Sequence, residues 1–362
     1  MTAATIPSRA AAAGPPDFGR VRRALRREGE PDRVPLLEIS VDPSLKARFL
    51  GRPAAGVEDD VAFWIGAGYD TVPAEAGVHL FVKNLAMTRH RAAYGVDATL
   101  SERDWAPEGV GLIAGPADLD SFPWPDAASF DYSRFAALER ALPTGARTVA
   151  VLGKVFTAVW WLLGFEGFCL ALVEQPRLIE RVFERVGEIQ LGTLERMLEY
   201  PSVGAVWMAD DVAYSESLMV APECLRRYLF PWYRRMGELC ARRDVPMVFH
   251  SDGKLDAVLD DVVGCGFGAL NPLEPKAMDI VEVKRLYGDR LCLIGNIDLG
   301  YTLTRGTPEE VRAEVRERIR ALAPGGGYCV GSSNSIPEYV PFENFEALRA
   351  ATLEYGRYPI AM

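Results

Sequence analysis

One pattern recurs through the second half of the chain: a short apolar run ends abruptly in polar residues, and a helical segment follows it. The clearest copy begins at Val245, where Val-Pro-Met-Val-Phe leads directly into His250, Ser251 and Asp252. Short apolar runs without alternation are typical of parallel strands that are buried on both faces. Because strands that alternate with helices favour a parallel sheet, the polar residues after each run should meet at one edge of it.

Eight segments fit this strand pattern, and they begin near residues 34, 70, 148, 204, 245, 268, 291 and 327. Eight strands that alternate with helices predict an α/β protein of the (β/α)8 TIM-barrel type, and 362 residues suffice for such a barrel in one domain. Barrel enzymes keep their catalytic residues at the carboxyl ends of the strands. We therefore expect the polar strand ends to form the functional site.

Two parts of the chain depart from this pattern. Residues 1–16 are rich in alanine and proline and predict a disordered leader, so that the barrel spans residues 17–362. Between residues 80 and 145 the pattern weakens, although Thr88 to Ser101 is compatible with a hairpin. A segment of this kind after the second strand is typical of an insertion over the mouth of a barrel.

The composition limits the partners and the compartment of the chain. Its formal net charge of −10 leaves no basic stripe for phosphates, so a nucleic-acid partner is not expected. No apolar run approaches the roughly 20 residues that a membrane-spanning helix requires. The six cysteines include no C-x-x-C pair, which favours reduced thiols in a cytoplasmic protein, and three histidines are too few for a metal site made of several histidines.

The strand ends supply the candidate catalytic residues. His250 and Asp252 alternate at a strand end, so their side chains face the same side and are candidates for catalysis or for metal binding; the alternative is a structural hydrogen-bonded pair. Asp210 and Asp211 follow the fourth strand, where paired carboxylates can share a proton or hold a metal, while one of them alternatively caps the next helix. Glu274 is a further catalytic candidate, with a structural role equally open.

Polar residues at the other strand ends are candidates for substrate contacts. Lys154 is suited to an anionic group, and the alternative is an exposed lysine without a role. Asn296 and Asp298 alternate in the same way as His250 and Asp252, and either a substrate contact or a structural role in the loop is open to them. The full set of candidate substrate-binding residues is Glu38, Lys154, Asn296, Asp298, Ser333 and Asn334.

Several stretches resemble the uroporphyrinogen decarboxylase superfamily, which includes the corrinoid-dependent methyltransferases for methanol and methylamines. The resemblance covers essentially the whole barrel and implies a (β/α)8 fold, a small-molecule substrate and an assembly that is often a homodimer. The matching stretches are Ala24 to Pro35, Asp210-Asp211, His250 to Gly253, Gly295 to Asp298 and Ile336 to Asn344.

The sequence departs from both branches of that superfamily. The decarboxylase branch carries an arginine-rich loop after the first strand, whereas residues 39–46 here contain no arginine, so a substrate with many carboxylates would be poorly held. The methyltransferase branch binds zinc through His-x-Cys and a later cysteine; here His250 is kept, but Asp252 and Asn334 replace the two cysteines. The remaining set, completed by Glu274, is suited to a harder divalent ion, and we expect a loosely held ion or none.

Three functions follow as hypotheses. The first is a methyl-transfer enzyme that acts on a small methylated compound or a thiol, with the methyl-corrinoid carried by a partner protein. The second is a decarboxylase or lyase for a smaller carboxylic acid, in which Asp210 or Asp211 stabilises a developing cation and His250 transfers the proton. The third is a non-catalytic ligand-binding barrel, because a fold does not determine a function.

Overall fold

The structure is a computed structural model that describes residues 14–76, 88–94, 99–105 and 111–361. Seven of its strands form one parallel sheet in the order β1-β4-β5-β6-β7-β8-β9, and β2 pairs with β3 in an antiparallel hairpin. The strands are β1 (Thr71–Glu75), β2 (Thr88–Tyr94), β3 (Thr99–Trp105), β4 (Arg147–Gly153), β5 (Val203–Ala209), β6 (Met247–His250), β7 (Ala269–Asn271), β8 (Cys292–Ile294) and β9 (Tyr328–Cys329).

Helices lie between the strands of the parallel sheet and cover its outer face. Within the described ranges the α-helices are Phe18–Arg26, Pro43–Leu50, Gly56–Gly66, Pro116–Ser121, Ser133–Ala141, Phe156–Leu163, Phe165–Glu174, Pro176–Met197, Pro222–Cys224, Phe230–Arg242, Leu259–Gly264, Ile280–Tyr287, Thr302–Arg305, Pro308–Leu322 and Phe342–Tyr355. A π-helical turn, Leu225–Leu229, joins two of them.

The sheet has one strand fewer than predicted. Seven of the eight predicted strands are present, but the predicted first strand is an extended segment that pairs only through isolated bridges, such as the parallel bridge between Leu36 and Val330. Leu37 donates its backbone N–H to Val330, and Val330 donates to Pro35. Because Pro35 has no N–H to donate and the side chain of Glu38 bonds to the neighbouring loop, no longer ladder forms. The described fold is thus a curled parallel sheet of seven strands.

The side chains on the inner face of the sheet pack against one another, which shows that the sheet is curled. Alternate residues of strands β4 to β9 contact one another and the segment at Leu37 in a single buried cluster. The first helix adds its own apolar face at the amino ends of the strands, where Arg20 bonds to Asp70 at 2.5 Å. The amino ends are therefore closed, and the open cavities lie at the carboxyl ends. The interior side chains are Val21, Ala24, Leu25, Leu37, Val149, Val151, Ala205, Trp207, Val248, Ala269, Cys292, Ile294 and Cys329.

Two other sequence predictions fall in sparsely described parts of the chain. The hairpin is present as β2 and β3, and its predicted position over the mouth stays a prediction. Of the predicted leader, residues 1–13 lie outside the described residues.

Among the described helices, none is by itself long and apolar enough to cross a membrane; the consecutive pair Phe156–Leu163 and Phe165–Glu174, bent by 95°, passes that test of length and composition only when taken together.

Candidate active site

Two neighbouring cavities open at the carboxyl ends of the strands, and they divide the predicted site residues into three groups. The first cavity, of about 480 Å³, is lined by five of them: Lys154, Asp211, His250, Asp252 and Asn334. The second, of about 370 Å³, is lined by four: Glu274, Asp298, Ser333 and again Asn334. Neither cavity is lined by Asp210, Glu38 or Asn296.

Asp211, His250 and Asp252 form a compact cluster on the wall of the first cavity. One ligand atom from each lies within 4.8 Å of the other two. Strands β5 and β6 place them together. Ala209 pairs with His250 in the sheet, and Asp211 comes two residues after Ala209. The Asp252 backbone N–H donates to Asp211 Oδ1 at 3.0 Å, and Asp252 Oδ1 lies 3.9 Å from His250 Nε2.

Asn271 of strand β7 fixes the orientation of His250. Its amide Nδ2 donates to the carbonyl of Ile294 at 3.1 Å, so its Oδ1 faces the imidazole and accepts from Nδ1–H at 2.5 Å. The lone pair of Nε2 is therefore directed toward Asp252. Burial lowers the pKa of His250 below its ordinary value, and the negative charge of Asp211 opposes this only in part. His250 is thus neutral at pH 7 and presents Nε2 as an acceptor or ligand.

Asp252 is a half-buried carboxyl with one oxygen left without a partner. Its Oδ2 accepts a hydrogen bond from Asn334 Nδ2 at 2.5 Å, whereas Oδ1 is buried and has no hydrogen-bond partner. Burial raises the pKa of Asp252 to about 8, and repulsion by Asp211 and Glu274 adds to this shift. In this position the carboxyl is stabilised by binding a proton or a metal cation.

Lys154 at the end of β4 is the cation nearest to the cluster. Its Nζ lies 3.8 Å from Asp211 Oδ2 and 5.5 Å from the ring centre of Trp161. The side-chain amide of Gln190 donates to the Lys154 carbonyl at 2.9 Å and so fixes the end of the strand. Lys154 therefore offsets part of the negative charge of Asp211.

Asp210 caps a helix, but it is the helix after strand β4 and not the next helix along the chain, which was the alternative expected from the sequence. It is fully buried, and its oxygens accept from the backbone N–H groups of Val155, Phe156 and Thr157 at 2.7–2.9 Å. They also accept from the hydroxyls of Thr157 and Tyr233. Since both oxygens are occupied and no surface is exposed, we do not retain Asp210 as a catalytic residue.

Glu38 and Asn296 are also placed away from a substrate. Glu38 is 3% exposed, and both of its carboxyl oxygens bond to Ser332, at 2.5 and 2.9 Å. Asn296 is 1% exposed and donates to the Leu273 carbonyl at 2.6 Å. The prediction of substrate contacts for these two residues is therefore replaced by buried structural contacts.

The residues of the second cavity hold loops in place. Asp298 accepts from the backbone N–H groups of Gly300 and Tyr301 and so stabilises a turn. Ser333 Oγ accepts from the Leu299 N–H at 3.0 Å. Glu274 accepts from the Gly253 N–H at 2.9 Å, which ties it to the loop after His250, but it lines the second cavity and not the first.

Sequence reasoning missed Asn271, which supports the first cavity from behind His250, and two cations that line the cavity. Asn271 carried part of a signal, because it is a polar residue at the end of a buried strand, but only the sheet register shows that it pairs with His250. Lys46 and Arg134 carried none, since they come from separate helices. Asp60 joins them: its two oxygens accept from Lys46 at 2.7 Å and from Arg134 at 2.8 Å. The first cavity thus has two fixed cations on a wall formed by helices.

The sequence model of the family described as Uroporphyrinogen decarboxylase (URO-D) matches residues 84–355, which is most of the chain. The chain belongs to the uroporphyrinogen decarboxylase family. The resemblance inferred from the sequence motifs is therefore confirmed.

Curated relatives in this family are enzymes of two kinds. Methylcobamide:CoM methyltransferase MtaA of Methanosarcina barkeri is 30% identical over 198 residues, which make up 54% of each protein. Uroporphyrinogen decarboxylase of Anaeromyxobacter dehalogenans is 24% identical over 280 residues, 74% of this chain and 78% of the decarboxylase. The chain spans about half the length of the methyltransferase relatives that it matches.

The fold also has a solved counterpart. A methyltransferase from Methanosarcina mazei matches 93% of this chain and 98% of its own, with a TM-score of 0.68 and 18% sequence identity. At this identity the match shows a shared fold, and it supports the α/β class predicted from the strand and helix pattern.

Proposed function

We propose that this member of the uroporphyrinogen decarboxylase family is a methyl-transfer enzyme that uses a methylated corrinoid on a partner protein and methylates a small acceptor. The observation that carries the proposal is the cluster of Asp211, His250 and Asp252 on the wall of the first cavity. The relatives named methylcobamide:CoM methyltransferase support the same reaction. A thiol such as CoM is the acceptor class to test first.

The cluster fits a divalent ion of the harder kind. It offers one imidazole nitrogen and two carboxylates, and the buried Asp252 Oδ1 has no other partner. A divalent ion bound there acts as a Lewis acid that lowers the pKa of an acceptor group. His250 contributes a neutral nitrogen, and Asp252 contributes a carboxylate after giving up its proton. Lys154 limits the remaining negative charge at Asp211.

Three further parts of the proposal concern the whole protein. We infer that the curled sheet is the (β/α)8 barrel expected from the sequence. The segment at Leu36, predicted as the first strand, then completes the set of eight. The chain is proposed to act in the cytoplasm on a small molecule and to form a homodimer. Size-exclusion chromatography with light scattering tests the dimer directly.

A methyl-transfer assay tests the proposed reaction. Purified protein is mixed with methylcobalamin and a series of thiols that includes CoM, and loss of the methyl group is followed by the corrin absorption spectrum. We expect turnover by the wild type, and a loss of roughly 100-fold or more in His250→Ala and Asp252→Ala. Asp298→Asn, in the second cavity, is the matched control and should retain activity. A wild type that is inactive with every acceptor class contradicts the proposal.

Decarboxylation of a small carboxylic acid is the second candidate. The observation that favours it is the pairing of a protonated Asp252 with a neutral His250, which are suited to giving and taking a proton. Lys46 and Arg134 on the same cavity are suited to a carboxylate. Release of carbon dioxide from small carboxylic acids, without dependence on a corrinoid, distinguishes this reaction from methyl transfer.

A further inference from the structure

Glu38 is a buried acid that the proposed chemistry does not use. It takes part in no ion pair among the described residues, and its two oxygens bond to the backbone N–H and the hydroxyl of Ser332. Burial raises the pKa of Glu38 to about 8, and the hydrogen bonds from Ser332 oppose that shift only in part. An acid in this position costs stability, because an apolar side chain of similar size would avoid the desolvation of a polar group. The position of Ser332 indicates what the acid does.

Residues 332–335 form the segment that separates the two cavities, which we call the wall. Asn334 and Ser335, its last two residues, line both cavities. On one side, Ser333 holds this wall through its N–H to the Ile297 carbonyl at 2.8 Å. At its tip, Asn334 Nδ2 donates to Asp252 Oδ2 at 2.5 Å. The wall therefore supplies the hydrogen bond that the Asp252 side chain accepts.

On the opposite side, Glu38 holds the same wall by its side chain. The backbone of this neighbouring segment bonds to the chain on either side of the wall: Leu37 donates to Val330 before it, and Ile336 donates to Ser40 after it. Between those points Glu38 spans the gap with its two bonds to Ser332. Loss of the Glu38 side chain thus removes the support of the wall on this side, while the contacts of Ser333 with Ile297 and Leu299 remain on the other.

We propose that Glu38 is a positioning residue, which holds Ser332 so that Asn334 stays bonded to Asp252 and keeps that carboxyl in place within the reaction centre. This inference rests on the reaction centre proposed above, and it holds whether that centre transfers a methyl group or a proton. Glu38 acts through Ser332 and Asn334 and contacts no substrate itself.

The protonated form of Glu38 has a close isostere. In the structure the Ser332 N–H and the Ser332 hydroxyl both donate to the acid. When Glu38 carries a proton, its O–H can instead donate to Ser332 Oγ, because a hydroxyl also accepts. Glutamine offers the same acceptor and a donor in the same places, so Glu38→Gln should keep both bonds. Glu38→Leu keeps a similar volume and removes both. Ser332→Ala removes only the bond at the hydroxyl and serves as a milder variant if the leucine protein is poorly folded.

Nitrogen-15 NMR of labelled histidine in the metal-free full-length protein tests the inference. The His250 signals, identified by their absence in His250→Asn, report on Asp252, whose Oδ1 lies 3.9 Å from Nε2. We expect Glu38→Gln to keep the wild-type His250 shifts and Glu38→Leu to change them, with Ser332→Ala between the two. Asn344→Leu is the control: it removes a buried amide that bonds to the Leu303 and Gly306 carbonyls, and it should lower the melting temperature without moving the His250 signals.

Two results overturn the inference. One is a Glu38→Leu protein that is folded and has unchanged His250 signals. The other is a Glu38→Gln protein that is altered as strongly as the leucine variant, because this would require the ionised acid. A parallel titration of the wild type with cobalt(II) tests metal binding separately, so its failure counts against the proposed metal and leaves the NMR result standing.

Discussion

Asp252 occupies an environment that favours its neutral form. Burial raises its pKa to about 8, with the charges of Asp211 and Glu274 acting in the same direction. One of its oxygens accepts from Asn334, while the other is buried without a hydrogen-bond partner. Without a bound cation, ionisation of this carboxyl therefore costs folding free energy, and we infer that this cost is retained for function.

The substitution Asp252→Asn should stabilise the metal-free protein while removing activity. The folded pKa of Asp252 lies above the unfolded value of 3.8, so the folded state keeps the proton longer and wild-type stability falls as pH rises between about 4 and 8. The asparagine side chain is never charged, and its amide can donate to His250 Nε2. We expect a gain of roughly 1–3 kcal/mol at pH 8 and little gain at pH 4.

Thermal or urea unfolding at both pH values, with a chelator present, measures this difference. Glu38 has a similarly raised pKa, but it is present in both proteins and cancels in the comparison. An asparagine variant that is less stable than the wild type at pH 8 contradicts the account of Asp252.

At the residue scale, sequence reasoning found the pair but not its supports. Alternation at a strand end was enough to place His250 beside Asp252. The partner of His250 was missed because Asn271 lies in another strand, and only sheet register brings the two together. Lys46 and Arg134 meet at Asp60 through helix packing, which no local pattern in the sequence records.

At the scale of elements, the end of strand β5 gives two adjacent aspartates opposite roles. Asp210 points into the protein and holds the start of the helix Phe156–Leu163, whereas Asp211 points into the first cavity. The helix has no capping side chain of its own, so the aspartate of the next strand supplies the missing acceptors.

This division predicts different outcomes for two alanine variants. Asp210→Ala should lower the free energy of unfolding by roughly 2–4 kcal/mol, from the lost cap and from a buried Tyr233 hydroxyl left unpaired. Asp211→Ala should change stability by less than about 0.5 kcal/mol, because the residue is partly exposed, but should abolish activity. Urea unfolding combined with the methyl-transfer assay checks both. Equal losses of stability in the two variants contradict this assignment.

The strands could be predicted from the sequence where they are continuous apolar runs. Seven strands have such runs, and the structure contains all seven. The segment at Leu36 has a similar run, but Pro35 lacks a donor and Glu38 turns toward Ser332, so it forms isolated bridges instead of a strand. Its failure to form a ladder depends on contacts with the loop after β9, which the local sequence does not contain.

At the scale of the whole molecule, the two ends of the sheet have separate tasks. The amino ends are closed by the first helix and by a buried ionic network in which Asp70 accepts from Arg20 at 2.5 Å and lies 3.5 Å from Arg33. The carboxyl ends hold the two cavities. Stability and chemistry should therefore respond to different substitutions.

Asp70→Ala tests this separation. It leaves the buried guanidinium of Arg33 without its carboxylate, which should cost roughly 3–5 kcal/mol of folding free energy. Asp32→Ala is the control, since Asp32 is largely exposed and its loss leaves the Arg20–Asp70 pair intact. The fraction of the Asp70 variant that is folded should keep the wild-type turnover rate. A selective loss of turnover in folded protein contradicts the separation of the two ends.

The central claim is that Asp211, His250 and Asp252 form a reaction centre for a divalent ion of the harder kind. Elemental analysis of the purified protein, followed by titration with zinc, manganese and cobalt, tests it most directly. We expect the wild type to carry no metal or an ion lost to a mild chelator, and to bind added ions through these residues, with His250→Ala and Asp252→Ala at least about 10-fold weaker. One tightly held zinc per chain that both variants retain contradicts the claim.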